Sequence, residues 1–204
     1  MDSISSAERL PLLQVSDHEL MALYAEGESA AFVQLVKKYK DPLVNFVNKI
    51  VHDYDAAVDI AQETFIRVHR NTNNYEAKAS FSTWLYRIAR NLAINELRRR
   101  KKRHFISLDQ PMYDNSESSV KFELTAPEDQ PDIRTEKVEM IKIVDTAISS
   151  LPRRYRIPLI LRDMQGLAYE EVAKILSLPK GTVKSRINRA RNILKQKLGP
   201  FMEV

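Results

Sequence analysis

No cysteine occurs in the 204 residues, so disulfides and thiolate metal sites are excluded. Only four glycines are present, and neither a GxGxxG nor a P-loop pattern is among them, which removes the familiar phosphate-cradling loops. No apolar run is long enough to span a bilayer. Near the start, Arg9 is followed only by the short apolar scatter from Leu10 to Val15, broken by Pro11 and Gln14, unlike a secretory leader. The expectation is a soluble cytoplasmic protein with no membrane insertion. No stretch alternates with period two over a useful length, so no sheet is expected. A hydrophobic fraction of 44% is enough for a core, in one large or two small domains.

Acidic residues are missing where basic ones gather. From Lys180 to Lys197 there is no acid at all, and Arg87 to Arg103 sets eight Lys/Arg against the single acid Glu96. The reverse holds from His104 to Glu136, with eight acids against Lys121 and Arg134. The net charge of +5 is modest, but this segregation points to two anion-binding surfaces joined by an acidic connector.

The stretch from Tyr169 to Lys197 reads as a short helix, a turn and a longer basic helix. Val172, Ala173, Ile175 and Leu176 fall at helical spacing, and Ser177-Leu178-Pro179 ends the run. In the second helix Val183, Ile187, Ala190 and Leu194 form one apolar stripe. Ser185, Asn188, Arg189 and Asn192 lie opposite, with Lys184, Arg186 and Arg191 along the flanks. Such a helix suits the DNA major groove: Arg reads guanine, Asn reads adenine, and flanking cations meet phosphates. A solvated basic face on an ordinary hairpin is the plain alternative. Ser177 stands where many helix-turn-helix proteins have glycine, which leaves the geometry of the turn open.

The remaining chain reads as helices. Ser16 and Glu19 make a capping box for a helix to about Glu26. A second helix runs from Ser29 to Tyr39, and Asp41-Pro42 starts a third. Asp55 to Arg70 is a fourth, and Phe81 to Arg103 a long fifth with Phe81, Leu85, Ile88 and Leu92 as its stripe. Periodicity collapses from Phe105 to about Ile133, where Pro111, Pro127 and Pro131 punctuate Ser-, Asp- and Glu-rich sequence, as in flexible linkers. Beyond it, Val138, Ile141, Val144, Ala147, Ile148 and Leu151 repeat at helical spacing, and Arg153 to Met164 continues with Pro158 inside. The fold class is all-α: two small helical domains on a flexible acidic linker, the C-terminal one carrying a helix-turn-helix. The boundaries are a tail over 1–15, a domain over 16–103, the linker over 104–134 and a domain over 135–204.

Three groups bear on chemistry. Asp55, Asp59 and Glu63 share a helix face beside Gln62. Without a histidine partner they make a weak metal or acid/base site, and a solvated acidic face is the plain alternative, favoured over catalysis. Tyr75, Phe81, Trp84 and Tyr86 precede and enter the long basic helix. Aromatics beside cations trap unstacked bases, although Phe81 and Trp84 also sit at core spacing. Along the same helix Arg87, Arg90, Asn91, Asn95 and Arg98 offer base-edge and phosphate contacts. No catalytic set emerges, so neither an enzyme nor a cofactor is expected.

FSTWLYRIARNLAINELRR (Phe81 to Arg99), DIAQETFIRVHR (Asp59 to Arg70) and the segment from Leu151 to Arg191 resemble bacterial sigma factors of the extracytoplasmic-function group of the sigma-70 family. The likeness covers nearly the whole chain apart from its tail and linker. It implies a promoter-specificity subunit whose first domain binds core RNA polymerase and opens the −10 element, and whose second reads the −35 element. Core polymerase, promoter DNA and an anti-sigma protein are the implied partners. On this likeness Asp59, Gln62, Glu63 and Arg67 dock on core polymerase. Tyr75, Lys78, Ser80, Trp84, Arg87, Asn91, Asn95 and Arg98 serve −10 recognition and melting, the loop Asn73 to Ser80 holding a flipped base. Lys180, Thr182, Lys184, Ser185, Asn188 and Arg189 contact the −35 element, while Arg153, Arg154 and Arg156 touch phosphates or polymerase, or are simply exposed charge. Two other readings stay open at this point. One is a helix-turn-helix regulator with an unrelated sensor domain; the other is a metal-dependent nuclease using Asp55, Asp59 and Glu63.

Overall fold

The computed structural model describes residues 15–72, 80–106 and 134–202, and every regular element among them is helical. The expected tail, most of the expected linker, and the loop from Asn73 to Ala79 lie outside the described residues. Two compact units result, Met1–Arg98 with Glu170–Ser177 and Arg99–Tyr169 with Leu178–Val204.

Helix α1 (Asp17–Ala25) starts as its sequence dictates. Ser16 Oγ accepts from the Glu19 amide at 3.3 Å, and Glu19 Oε2 accepts from the Ser16 amide at 2.8 Å. This reciprocal pair satisfies donors that the first helical turn leaves open. Beyond the helix Gly27 takes φ 104°, a conformation glycine reaches without steric penalty.

Helix α2 (Ser29–Val51) corrects the expectation of two helices meeting at Asp41, because it passes unbroken through Pro42. The proline removes one N–H and its ring crowds the carbonyl four residues back, a local cost. Continuing the helix buries Ala31 and Leu35 before the proline and Leu43, Phe46, Val47 and Ile50 after it. Each large apolar side chain so buried contributes roughly 1.5–3 kcal/mol, and that sum exceeds the cost of the proline. His52 ends the helix at φ 53°, and Asp53 caps α3 (Tyr54–Arg70) by accepting from the Ala56 amide at 3.0 Å.

Helix α4 (Phe81–Ile106) continues past Arg103, so the first residues assigned to the linker are helical. Ser80 caps it, its hydroxyl accepting from the Thr83 amide at 3.3 Å. α1 and α3 both pack on α2. Phe46 meets Tyr86 edge-on at 5.1 Å, and Tyr39 meets Phe81 at 5.3 Å. The face of α4 that is fully buried carries Phe81, Leu85, Tyr86, Ala89 and Ala93, while Ile88 and Leu92 are half-buried.

In the second unit α5 (Arg134–Ser149) and α6 (Arg153–Leu159) pack on α8 (Lys180–Met202). The expected inward stripe of α5 holds only at its C-terminal end. Ala147 and Ile148 are buried, but Val138 and Ile141 are 49% and 62% exposed. Where a helix to Met164 was expected, with Pro158 tolerated near its start or with a kink, α6 widens after Pro158 into a π-helical turn over Ile160–Met164, closed by the Gln165 amide on the Ile160 carbonyl at 3.0 Å. Gly166 (φ 71°) then reverses the chain, and the Leu167 amide donates to the Leu161 carbonyl. α7 (Tyr169–Leu176), which from Glu170 on is grouped with the first unit, buries Val172, Ile175 and Leu176. The short connection to α8 places Ser177 at φ 53°, so serine occupies the left-handed position that glycine often fills. Along α8, Val183, Ile187 and Ala190 are buried and Leu194 is half-buried.

Candidate nucleic-acid interface

Burial of Ala89 and Ala93 fixes the rotation of α4 and turns the next row outward. Arg87, Asn91, Asn95 and Arg98 are all exposed, and at helical spacing they fall within one narrow strip. Arg90 lies beside that strip, half-buried. Its Nη1 donates to Asn91 Oδ1 at 3.0 Å, while its Nε is buried without a partner. Burial, then the charges of Arg98 and Arg87, lower the proton affinity of Arg90. These cations repel one another through a partly desolvated surface, which is a surface prepared for an anion.

The aromatic group separates into different roles. Phe81 and Tyr86 are 1% and 2% exposed, so both are core residues and not base platforms. Trp84 is half-buried, its ring edge-on to Phe81 at 6.5 Å, and retains accessible surface. Tyr75 and Lys78 lie outside the described residues. Ser80 is exposed and its hydroxyl is engaged in the cap of α4.

On α3 Asp59, Gln62 and Arg67 are exposed and Glu63 is half-buried. Arg67 Nε donates to Glu63 Oε1 at 2.8 Å, an i,i+4 pair whose side chains are 47% and 40% exposed. Among the described residues no group of three or more His, Cys, Asp or Glu side chains is placed to hold a metal ion.

The buried stripe of α8 likewise turns Lys180, Lys184, Ser185, Asn188 and Arg189 to solvent, with Thr182 half-buried. Ser185 Oγ donates to the Thr182 carbonyl at 2.9 Å, which leaves its lone pairs outward. Lys184 Nζ stands 5.7 Å from the centre of the Tyr169 ring, and the Arg162 guanidinium stands 4.8 Å from it. Two cations thus share one aromatic, and its quadrupole holds both at the start of α7.

Two arginines expected at the surface are engaged elsewhere. Arg191, read from the sequence as a flanking phosphate contact, forms a two-pronged pair with Asp163, at 2.6 Å from Nη2 and 3.0 Å from Nε. That hydrogen bonding and the carboxylate charge raise its proton affinity. Arg156, grouped with Arg153 and Arg154 as a surface contact, is 6% exposed and donates Nη1 to the Ser149 carbonyl. It therefore closes the C-terminal end of α5, while burial, with Arg153 close by, pushes its pKa down to about 10. Arg153 and Arg154 are exposed as expected. Neither engagement has a local sequence signal, because the partners lie 28 and 7 residues away.

Residues 35–103 match the family description Sigma-70 region 2, and residues 141–194 match Sigma-70, region 4. The RNA polymerase sigma-H factor of Pseudomonas aeruginosa is 34% identical over 94% of this chain and 98% of its own length. The ECF RNA polymerase sigma-E factor of Escherichia coli is 36% identical over 93% and 97%, and the ECF RNA polymerase sigma factor SigW of Bacillus subtilis is 33% identical over 85% and 91%. Among solved structures, the sigma factor RpoE of Bartonella quintana in complex with the anti-sigma factor NepR has a TM-score of 0.63 at 24% identity, covering 82% of this chain and 96% of that one. CnrH in complex with the cytosolic domain of CnrY has a TM-score of 0.63 at 22% identity, covering 91% and 99%. Those two likenesses concern the fold.

Proposed function

The chain belongs to the extracytoplasmic-function group of the sigma-70 family, and from this we propose how its surfaces divide the work of directing RNA polymerase to promoters. The region 2 domain spans 16–103 and the region 4 domain 135–204. Asp59, Gln62, Glu63 and Arg67 on α3 dock on core polymerase. Arg87, Asn91, Asn95 and Arg98 on α4 meet the −10 element, with Trp84 beside them as a stacking surface. The loop carrying Tyr75 and Lys78 up to Ser80 captures an extruded base. Lys180, Thr182, Lys184, Ser185, Asn188 and Arg189 on α8 meet the −35 element.

The observation that carries this reading is the outward strip of α4. Four side chains on a single exposed row combine two amides, suited to base edges, with two guanidinium groups, suited to phosphate. Strand opening then draws on binding free energy, because unstacked bases and core contacts offset the lost stacking. We also propose a cytoplasmic location and control by an anti-sigma partner. Its support is that a structure with the same fold, the sigma factor RpoE of Bartonella quintana, was solved in complex with the anti-sigma factor NepR. No helix among the described residues is long and apolar enough to cross a membrane.

The test is transcription with purified core polymerase on genomic fragments, with and without the full chain. A promoter-dependent transcript that appears only when the chain is added is the expected result. Absence of such a transcript on every fragment overturns the proposal.

A further inference from the structure

Asparagine reads adenine by using both halves of its amide at once, donating from Nδ2 and accepting at Oδ1. On α4 one of the two lone pairs of Asn91 Oδ1 is already engaged. Arg90 Nη1 donates to Asn91 Oδ1 at 3.0 Å. The orientation of this amide follows from chemistry, since a guanidinium has only donors and can face only the oxygen. Neighbours in sequence do not face each other on a helix, so the long arginine stem must lie along the surface to bring its head to Asn91. Arg90 is half-buried, which limits where its head can go. Asn95, one turn on, is exposed.

We infer that Arg90 is a positioning residue that biases Asn91 toward donating, favouring a base edge that presents only acceptors, thymine O4 or guanine O6 and N7, over adenine, whose N6 donor needs the weakened Oδ1 acceptor. This rests on the proposal that the α4 strip meets the −10 element. The physical reason is directional. A lone pair engaged by a cation is a poorer acceptor for a second donor, and the same bond polarises the amide so that its N–H groups donate better. Arg90 therefore acts on sequence choice without touching a base.

The experiment uses holoenzyme assembled from core polymerase and the full chain, offered a promoter-length duplex pool randomised across the −10 element, with bound DNA sequenced. The variants are Arg90→Met, which keeps the apolar stem and removes the guanidinium, Asn91→Ala and Asn91→Asp. The wild-type chain is expected to select thymine or guanine at one position, and Asn91→Ala to lose selection there alone. Arg90→Met is expected to reduce that preference against adenine roughly three- to tenfold, about the worth of one ordinary hydrogen bond, since the acceptor is weakened and not removed, with core binding unchanged. Asn91→Asp, which presents acceptors only, is expected to shift the same position toward a donor-bearing base, adenine or cytosine. The inference is overturned if Arg90→Met leaves the preference at that position intact. It is equally overturned if the position lost in Asn91→Ala is adenine, or if Asn91→Ala changes no position while the rest of the −10 selection survives. Failure of the wild-type holoenzyme to select any sequence would instead remove the function proposed for the α4 strip, and the inference with it.

Discussion

Arg191 of α8 grips Asp163 in the π-helical turn after α6 with two hydrogen bonds, 2.6 and 3.0 Å long. The pair joins the basic helix to its support, so one cation on the flank of α8 serves to place the helix. Both partners keep substantial exposure, 49% and 32%, so solvent screens the pair and its contribution stays near 1 kcal/mol. Asp163→Asn is expected to lower the melting temperature by a few degrees in a salt-sensitive way. If Arg189 meets the −35 element as proposed, Arg189→Ala is expected, by contrast, to leave the melting temperature in place and to weaken −35-dependent transcription about tenfold, the scale of one lost bidentate base contact. Thermal unfolding and transcription, run on both variants, separate the two roles.

Pro42 lies inside α2 and gives up one backbone hydrogen bond where the helix would otherwise make it. Pro42→Ala restores the donor and relieves the ring contact, partly offset by the freer unfolded chain. A gain of about 1–2 kcal/mol is expected in urea unfolding, with the slope unchanged.

Ser177 holds φ 53° between α7 and α8, and an L-residue there costs about 1 kcal/mol relative to glycine. Ser177→Gly is therefore expected to stabilise the chain by up to that amount in chemical denaturation. DNA contacts on the exposed row of α8 should be retained, as a −35 binding assay will report.

The capping box of α1 carries a pH dependence. Hydrogen bonds from the Ser16 side chain and backbone hold the Glu19 carboxyl below its ordinary pKa of 4.5. A group whose pKa falls on folding binds fewer protons folded than unfolded. Its stabilisation is thus present above pH 4.5 and disappears as pH falls through the lowered value. NMR titration should place Glu19 below ordinary glutamates, and Ser16→Ala, which removes the hydroxyl but keeps the backbone amide, should return it part of the way.

Asp59 and Gln62 are exposed on α3, so their removal should not disturb the core. Asp59→Ala and Gln62→Ala are expected to reduce affinity for core polymerase at least severalfold, in the manner of interface residues whose truncation leaves the free protein folded. Competition against a labelled wild-type chain measures the loss, and unchanged circular dichroism checks the fold.

Local pattern carried much of this protein. The capping pair Ser16 and Glu19, the rotation of α8 set by Val183, Ile187 and Ala190, and the exposed row from Arg87 to Arg98 all follow from spacings of three and four residues. Those spacings decide which side of a helix is wet wherever the helix packs. The membership of the sigma-70 family was legible for the same reason, since its motifs lie on those helices. Tertiary structure decided the rest. Pro42 reads as a helix start until the buried faces on both sides of it are joined, because a local steric cost is outweighed only by burial that a short window does not contain. Tyr86 reads as a base platform until Phe46 is brought against it. Val138 and Ile141 keep the correct period yet remain exposed, because periodicity names a face without supplying a surface to cover it. Whether a cation is free for DNA is likewise not a local property. Arg156 and Arg191 are chemically the same as Arg189, and only the folded chain brings a carbonyl to one and a carboxylate to the other.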